Sequence, residues 1–489
     1  MTKRRSGVLI VLFASIVVLV LALAPSRPVD ALRLMFFGPP QTKPTSPIVD
    51  PFLIELEERT FRFFWDTANP KNGLIPDRYP TPSYASIAAV GFALTAYPVG
   101  VERGYVTRAQ ARHRVLTTLR FLRNAPQGPQ AAGMSGNKGF FYHFLDMKTG
   151  VRFEDSELST VDTAILMAGV LFCQSYFDGK GADEAEIRRL ADEIYRRVDW
   201  RWAQPRAPAI NHGWTPEEGF LEYDWRGYNE AMLVYLLALG SPTHPVGPEA
   251  WAEWTSTYSA NWNTMFGQQY LTFSPLFGHQ YSHVWLDFRN IQDPYMRRRG
   301  IDYFENSRRA IYAQQAYAIA NPLKCKDYGA TIWGITASDG PGEIETEDAS
   351  GKRVYRAYSA RGIGGASAHD DCTLAPTAAV ASIPFAPELA IAAVLDMHKR
   401  FGQHIYSTYG FLDAFNPTFD FNVPLAHGRC FTGFGWVDND YLGIDQGAIF
   451  AMIENYRSEM IWKVMRSNPY VRSGLTRAGF SGGWLTASR

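Results

Sequence analysis

The sequence predicts an all-α protein whose helices lie in two concentric layers. Three observations carry this reading. Helical hydrophobic periodicity recurs in about a dozen segments. Segments that are apolar on nearly every side alternate with amphipathic ones, as buried inner helices and half-exposed outer helices would. Gly and Pro gather in long stretches at 125–139, 203–227 and 337–375, loops of a length that usually carries a function.

In chain order, residues 52–67 form the first predicted helix, with Phe61, Phe64 and Trp65 on its apolar side. Residues 86–103 are apolar almost all round and suit an inner position. Residues 107–124 are amphipathic, with Val115, Leu119 and Leu122 inward. Ser159-x-x-Asp162 has the form of a capping box and starts the next helix at about Thr160. Val161, Ala164, Ile165, Ala168 and Phe172 then keep the helical period to residue 177. Residues 183–200 are amphipathic and charged on one face. Residues 230–239 are apolar and are stopped by Gly240 and Pro242. Helices at 249–266, 304–320, 377–382, 388–401 and 445–465 continue the pattern. No repeat of about 20–50 residues is visible, so a solenoid is not expected.

A length of 489 residues sets a prior of roughly three domains, yet no boundary stands out after residue 50. The expected division is a leader at 1–31, a linker at 32–50 and one domain over 51–489. Formal net charge is zero, so nucleic acid is not an expected partner; the expected state is a monomer. Lys3, Arg4 and Arg5 precede an apolar run over 7–25, which reads as an export signal, either cleaved or kept as a membrane anchor. The remainder would be periplasmic or extracellular. Pro39, Pro40, Pro44 and Pro47 mark the linker. The four cysteines, Cys173, Cys325, Cys372 and Cys430, allow three complete pairings if oxidised; Cys173, on an apolar helix, reads as a buried thiol.

The chemistry concentrates in acidic stretches beside aromatics. Glu154, Asp155, Glu157 and Asp162 lie just before or inside the first turn of the helix from Thr160, near its positive dipole end. Asp162 also reads as a capping residue. Glu230 opens an apolar helix among Trp225, Tyr228 and Met232. Such surroundings raise a carboxyl's pKa, which a general acid at neutral pH needs. His279 and His283 have metal-ligand spacing but no HExxH, so no metal is expected there. Asp287, Arg361, Asp413, Asn416, Trp436, Asp438, Asp440 and Gln446 follow in loops rich in Trp and Tyr. Carboxylates and amides beside aromatic faces suit a pyranose. Asp438 to Asp440 lack the spacing of a calcium loop, and Asp445 reads as a helix cap. No GxSxG, P-loop or dinucleotide fingerprint occurs, and no cofactor is expected. Separated carboxylates on a helical scaffold fit glycoside hydrolysis best.

Several ordered stretches carry a resemblance to a known family: FYHFLDMKTG at 141–150, DSELSTVDTAIL at 155–166, GYNEAMLVYLLALGSPTHP at 227–245, LFGHQYSHVWLDFRNIQD at 276–293, YSARG at 358–362, FAPE at 385–388, YGFLDAFNPT at 409–418 and WVDNDYLGIDQG at 436–447. Over roughly residues 52–485 the chain resembles the bacterial glycoamylase-like family, which includes endo-β-1,2-glucanases of glycoside hydrolase family 144. The resemblance implies an (α/α)6 toroid and hydrolysis of β-1,2-glucan, with a retaining β-1,2-glucan transglycosylase or an inactive sugar-binding or envelope-scaffold protein as alternatives. It implies a site containing Glu157 and Glu230 and tilts toward inversion. On residue chemistry, Glu230 is the expected acid, Glu157 the opposing carboxylate, and Asp162, Glu154 and Asp155 supports or competitors. His279, His283, Asp287, Arg361, Asp413, Asn416, Asp438, Asp440 and Gln446 are expected to hold sugar hydroxyls. Trp225 and Trp436 are expected to stack on rings, with Tyr228 beside them. One departure from the family pattern, 363–369 and Cys372, bears on subsite contacts and linkage preference.

Overall fold

A computed structural model describes residues 49–348, 351–364 and 368–486. The expected export signal and all but the last two residues of the linker lie outside the described residues. From Val49 onward the chain forms one compact unit.

Six helices buried almost all round make an inner ring: α2 (Ile87–Glu102), α4 (Thr160–Tyr176), α6 (Met232–Gly240), α8 (Tyr281–Trp285), α11 (Pro376–Val380) and α13 (Gly443–Ser458). Helix α2 packs on α4, α4 on α6 and α11 on α13, and α13 closes the ring on α2. Polar pins complete it: Leu233 N–H donates to Ser282 Oγ (3.2 Å) between α6 and α8, and Gln280 Nε2 donates to Ala378 O (2.9 Å) between α8 and α11. The α2 and α4 backbones nearly touch. A Cβ on Gly91 would sit 2.4 Å from Ile165 O, and one on Gly169 2.1 Å from Gly91 O.

The outer layer is amphipathic: α1 (Pro51–Thr67), α3 (Arg108–Asn124), α5 (Ala182–Arg197), α7 (Glu249–Trp254), α10 (Tyr303–Ala320) and α12 (Pro387–Ile405). The short α9 (Pro294–Arg299) lies between α8 and α10. Helices α14 (Met460–Ser467) and α15 (Pro469–Arg477) cover α4 and α6 from outside, and α16 (Gly483–Thr486) ends the described chain. This is the expected (α/α)6 toroid.

Two expected helices are corrected. The helix at 249–266 stops at Trp254; after a 3₁₀ turn, Trp262–Met265 pairs with Gln268–Leu271 as a hairpin. Phe266 and Gly267 take positive φ (45° and 80°) at its tip, which suits a tight hairpin turn. The helix at 445–465 is two helices, broken where Glu459 adopts φ 59°.

Two-residue ladders tie the loops at the N-terminal ends of the inner helices. Arg78–Tyr79 pairs with Tyr441–Leu442, Ala85–Ser86 with Phe144–Leu145, Leu158–Ser159 with Gly213–Thr215, and Ala337–Ser338 with Ser359–Ala360. These ladders, not long sheets, gather residues from distant parts of the sequence at one end of the ring. Cys325 and Cys372 form a disulfide beside the last of these loops. Cys173 is a buried thiol that donates to Leu94 O (3.0 Å), as expected.

Candidate active site

Glu230 lies on the turn that leads into α6. Its Oε2 is buried without a hydrogen-bond partner. Burial raises its pKa from the ordinary carboxyl value to about 7, against a backbone hydrogen bond that lowers it; the charge of Asp162 adds to the rise. The Glu230 carboxyl therefore keeps its proton near neutrality.

Glu157 and Asp162 flank His143, and Asp162 lies within electrostatic reach of Glu230. The imidazole Nδ1 is 2.8 Å from Glu157 Oε1, and Nε2 is 3.6 Å from Asp162 Oδ2. Burial disfavours a charged His143, but Asp162 and Glu157 outweigh it and raise the ring to about pH 9. Burial alone would raise Glu157; the His143 hydrogen bond and charge bring it below its usual value. Ser159 caps α4 by accepting from Asp162 N–H (3.2 Å), and its hydroxyl donates to Asp162 Oδ2. Ser159 is thus the cap, and the Asp162 side chain holds its hydroxyl while facing His143.

The remainder of the floor is a basin of buried aspartates. Asp413 Oδ2 accepts from Asp339 N–H (2.7 Å), Asp440 Oδ1 from Thr81 N–H (2.9 Å), and Asp339 Oδ2 from Arg78 Nη1 (2.7 Å). One oxygen each of Asp339, Asp413, Asp438 and Asp445 has no partner. Burial, then neighbouring aspartates, push Asp413 and Asp438 well up; burial brings Asp77 and Asp445 to about 6. Among the described residues, Asp339, Asp413 and Asp438 are the group whose oxygens, within 4.8 Å of one another, could hold a cation; Arg78 already neutralises part of that charge. Tyr281 stands between the halves, within electrostatic reach of Glu230, Asp413 and Asp445. Tyr358 is 51% exposed, yet Asp445, Asp413, Asp77 and Asp339 act on its hydroxyl. It stands in the open mouth above the basin.

Several sequence-based expectations place differently. Glu154 is exposed on a turn with φ 46°, and Asp155 is exposed beside it. Arg361 is fully buried, with its guanidinium on Asp371 (2.8 and 2.9 Å) and on the Ser338, Arg356 and Ala357 carbonyls. Asn416 binds Asp371 O and Thr373 and accepts from Thr418 and Phe419 N–H. Both shape loops and have no donor left for sugar. Trp436 is fully buried with Nε1 on His427 O, so it presents no face. Asp287 lies past the C-terminal end of α8, paired with Arg289 and Arg466. That is the end of the ring remote from Glu230.

His279 and His283 do not share a helical face: a 3₁₀ turn (Leu276–His279) and α8 meet at a break at Gln280. Both are buried, and burial lowers each to about pH 3. His283 Nε2 meets Ser307 Oγ (3.1 Å), and Tyr228 meets the same hydroxyl (3.3 Å), its ring beside His279. Gln446 Nε2 is used on Phe411 O, while its buried Oε1 has no partner. Trp225 is 8% exposed and lies under the His212 ring, 3.6 Å away. His212, rather than Trp225, presents the outer face of that stack.

His143, Asp77, Arg78, Asp339, Tyr281 and Tyr358 went unnoticed in the motif reading. His143, Tyr281 and Tyr358 sit inside the stretches FYHFLDMKTG, LFGHQYSHVWLDFRNIQD and YSARG. Asp77, Arg78 and Asp339 carry no local signal, because only the ladders to 441–442 and 359–360 bring them in.

The fold and site define a double-layer helical toroid that gathers a protonated Glu230 and a Glu157 held below the usual carboxyl range at the N-terminal ends of its inner helices. The chain belongs to the glycoamylase family, whose model, described as "Putative glucoamylase", matches residues 222–469. A solved structure of the same description from Bacteroides uniformis ATCC 8492 is 31% identical, with a TM-score of 0.76, covering 91% of this chain and 100% of that one. An endo-β-1,2-glucanase from Chitinophaga pinensis, solved with sophorotriose and glucose, is 28% identical with a TM-score of 0.74, covering 88% and 98%. An exo β-1,2-glucooligosaccharide sophorohydrolase (non-reducing end) from Parabacteroides distasonis is 29% identical; the match covers 88% of this chain and 58% of that relative's length.

Proposed function

We propose that the chain is a glycoside hydrolase acting on β-1,2-glucan, with Glu230 as general acid. The observation that carries this is a protonated Glu230, one oxygen unpartnered, with Asp162 within electrostatic reach and Glu157 held below the usual carboxyl range by His143. A glycosidic oxygen leaves as an alcohol only if it gains a proton as the bond breaks, and a carboxyl near pH 7 supplies it. The ionised side stabilises the oxocarbenium-like transition state and activates the incoming water. The unpartnered buried oxygens of Asp339, Asp413, Asp438 and Asp445 are acceptors suited to sugar hydroxyls, which are donors. The glucan linkage is supported by the names of the two β-1,2-glucan relatives.

Inversion is part of the proposal. With a retaining transglycosylase the first products would keep the β anomer and include chains longer than the substrate. Proton NMR of products from linear β-1,2-glucan reads both: α-anomer first, with shorter chains only, is expected. The same assay run with β-1,3- and β-1,4-glucans tests linkage. No change on any glucan would favour a sugar-binding protein instead. Export through the N-terminal segment, to the periplasm or beyond, either free or anchored, belongs to the same proposal. Fractionation of cells expressing the full chain, with a protease-accessibility assay, tests it; a cytoplasmic, protease-protected protein would contradict it.

A further inference from the structure

Two carboxylates beside one another repel, and unless a cation stands between them one takes up a proton. Glu157 lies in the loop just before the strand Leu158–Ser159 and Asp162 in the first turn of α4, and His143 stands between them. The position of His143 is fixed four ways. Its N–H donates to Glu157 O (2.8 Å), and its C=O accepts from Ile87 N–H at the start of α2 (3.2 Å). Its ring stacks on Phe144 (3.8 Å between centroids) and bonds Glu157 through Nδ1. Backbone and side chain of one residue therefore both brace Glu157. The trio is open to the cleft: the side chains of His143 and Glu157 are 30% and 34% exposed.

We infer that His143 is a positioning residue of the active site, bonded to Glu157 through Nδ1 and turning Nε2 to Asp162, so that it fixes both carboxyls in the site that holds Glu230. The inference rests on the hydrolase reading above. Two further charged groups act on the trio. Asp77, from the loop before α2, adds a further negative charge on His143. Arg152 acts on Glu157 from the far side, but its guanidinium is spent on Glu217 (2.7 and 3.0 Å) and Ser156 O (2.6 Å). Asp162 connects the trio to Glu230, whose pKa its charge raises. Replacing the ring by a neutral group leaves Glu157 with a weaker reason to stay ionised and leaves Asp162 without its facing cation.

The test is the pH dependence of kcat and KM for His143→Gln against the native chain, on whichever β-glucan the native enzyme cleaves, β-1,2-glucan being expected. An opposite charge at this range shifts a carboxyl by about 1–3 pH units. The acid limb of kcat/KM should therefore move up by at least about one unit, and kcat should fall with KM little changed. A folded His143→Gln enzyme with an unmoved acid limb and native kcat overturns the inference. If that variant fails to fold, His143→Asn takes its place, because its amide can keep the bond to Glu157 while removing the charge. The native profile is a third check that needs no variant: an acid limb above about pH 5.5 contradicts a Glu157 held below the usual carboxyl range. A native enzyme that cleaves no glucan overturns the hydrolase reading itself, and is distinguishable from all of these.

Discussion

The burial that keeps the Glu230 carboxyl protonated also makes it costly to the fold at higher pH. Its carboxyl is raised to about 7 from 4.5 mainly by burial, so the folded protein binds a proton there that the unfolded chain releases. Its contribution to stability is fully present below about pH 4.5 and is lost as pH rises through about 7. A shift of this size corresponds to about 3 kcal/mol. Glu230→Gln, neutral at every pH, should therefore unfold at a higher urea concentration than the native chain at pH 8, with the gap closing toward pH 4.5. A variant that is less stable at pH 8 would mean that Glu230 has a structural partner. At Arg361 the opposite is expected. Removing this buried cation leaves Asp371 uncompensated and frees the Arg356 and Ala357 carbonyls that hold the loop to Tyr358. Arg361→Met should cost about 3–5 kcal/mol in denaturant unfolding; a loss below about 1 kcal/mol would contradict that scaffold role.

Among the elements, α2 and α4 rely on glycine at their crossing. Gly91→Ala places a Cβ 2.4 Å from Ile165 O, and the obstacle is backbone that cannot rotate aside. A loss at the top of the overpacking range, about 3 kcal/mol, is expected in urea unfolding; an unchanged midpoint would show that the helices can slide apart. The 47-residue span closed by Cys325–Cys372 suggests a stabilisation of about 4 kcal/mol. Reduced protein, or Cys372→Ser, should melt several degrees lower, and an unchanged Tm would contradict this. The inner and outer helices were legible because apolar runs such as 86–103 and 160–177 keep one period for many residues. Short pieces were not. The Trp262–Leu271 hairpin lay under a helical pattern until Phe266-Gly267 turned it, and α8 is only five residues long. In the site, Glu230 and Asp162 were legible from helix starts among apolar residues. Tyr358 and Asp339 were brought in by pairing partners far away in sequence. Trp436, Arg361 and Asn416 misled because aromatic and polar loop residues shape a cleft wall from behind as often as they face it.

For the whole molecule, closing six inner helices into a ring points their N-terminal ends, and the loops between them, at a common centre. Positive dipole ends favour negative charge there. Local surroundings then decide which carboxyls keep protons: burial raises Glu230, while the His143 hydrogen bond and charge overcome burial and lower Glu157. This separation of two carboxyls by environment is what acid/base cleavage of a glycoside needs. The most direct measurement is the initial rate of reducing-end release from linear β-1,2-glucan, with native chain and Glu230→Gln assayed side by side at pH 6. The account predicts turnover by the native enzyme and a fall of about 10²–10⁴-fold in a folded Glu230→Gln. Near-native turnover by Glu230→Gln, or no release by the native chain, would contradict it.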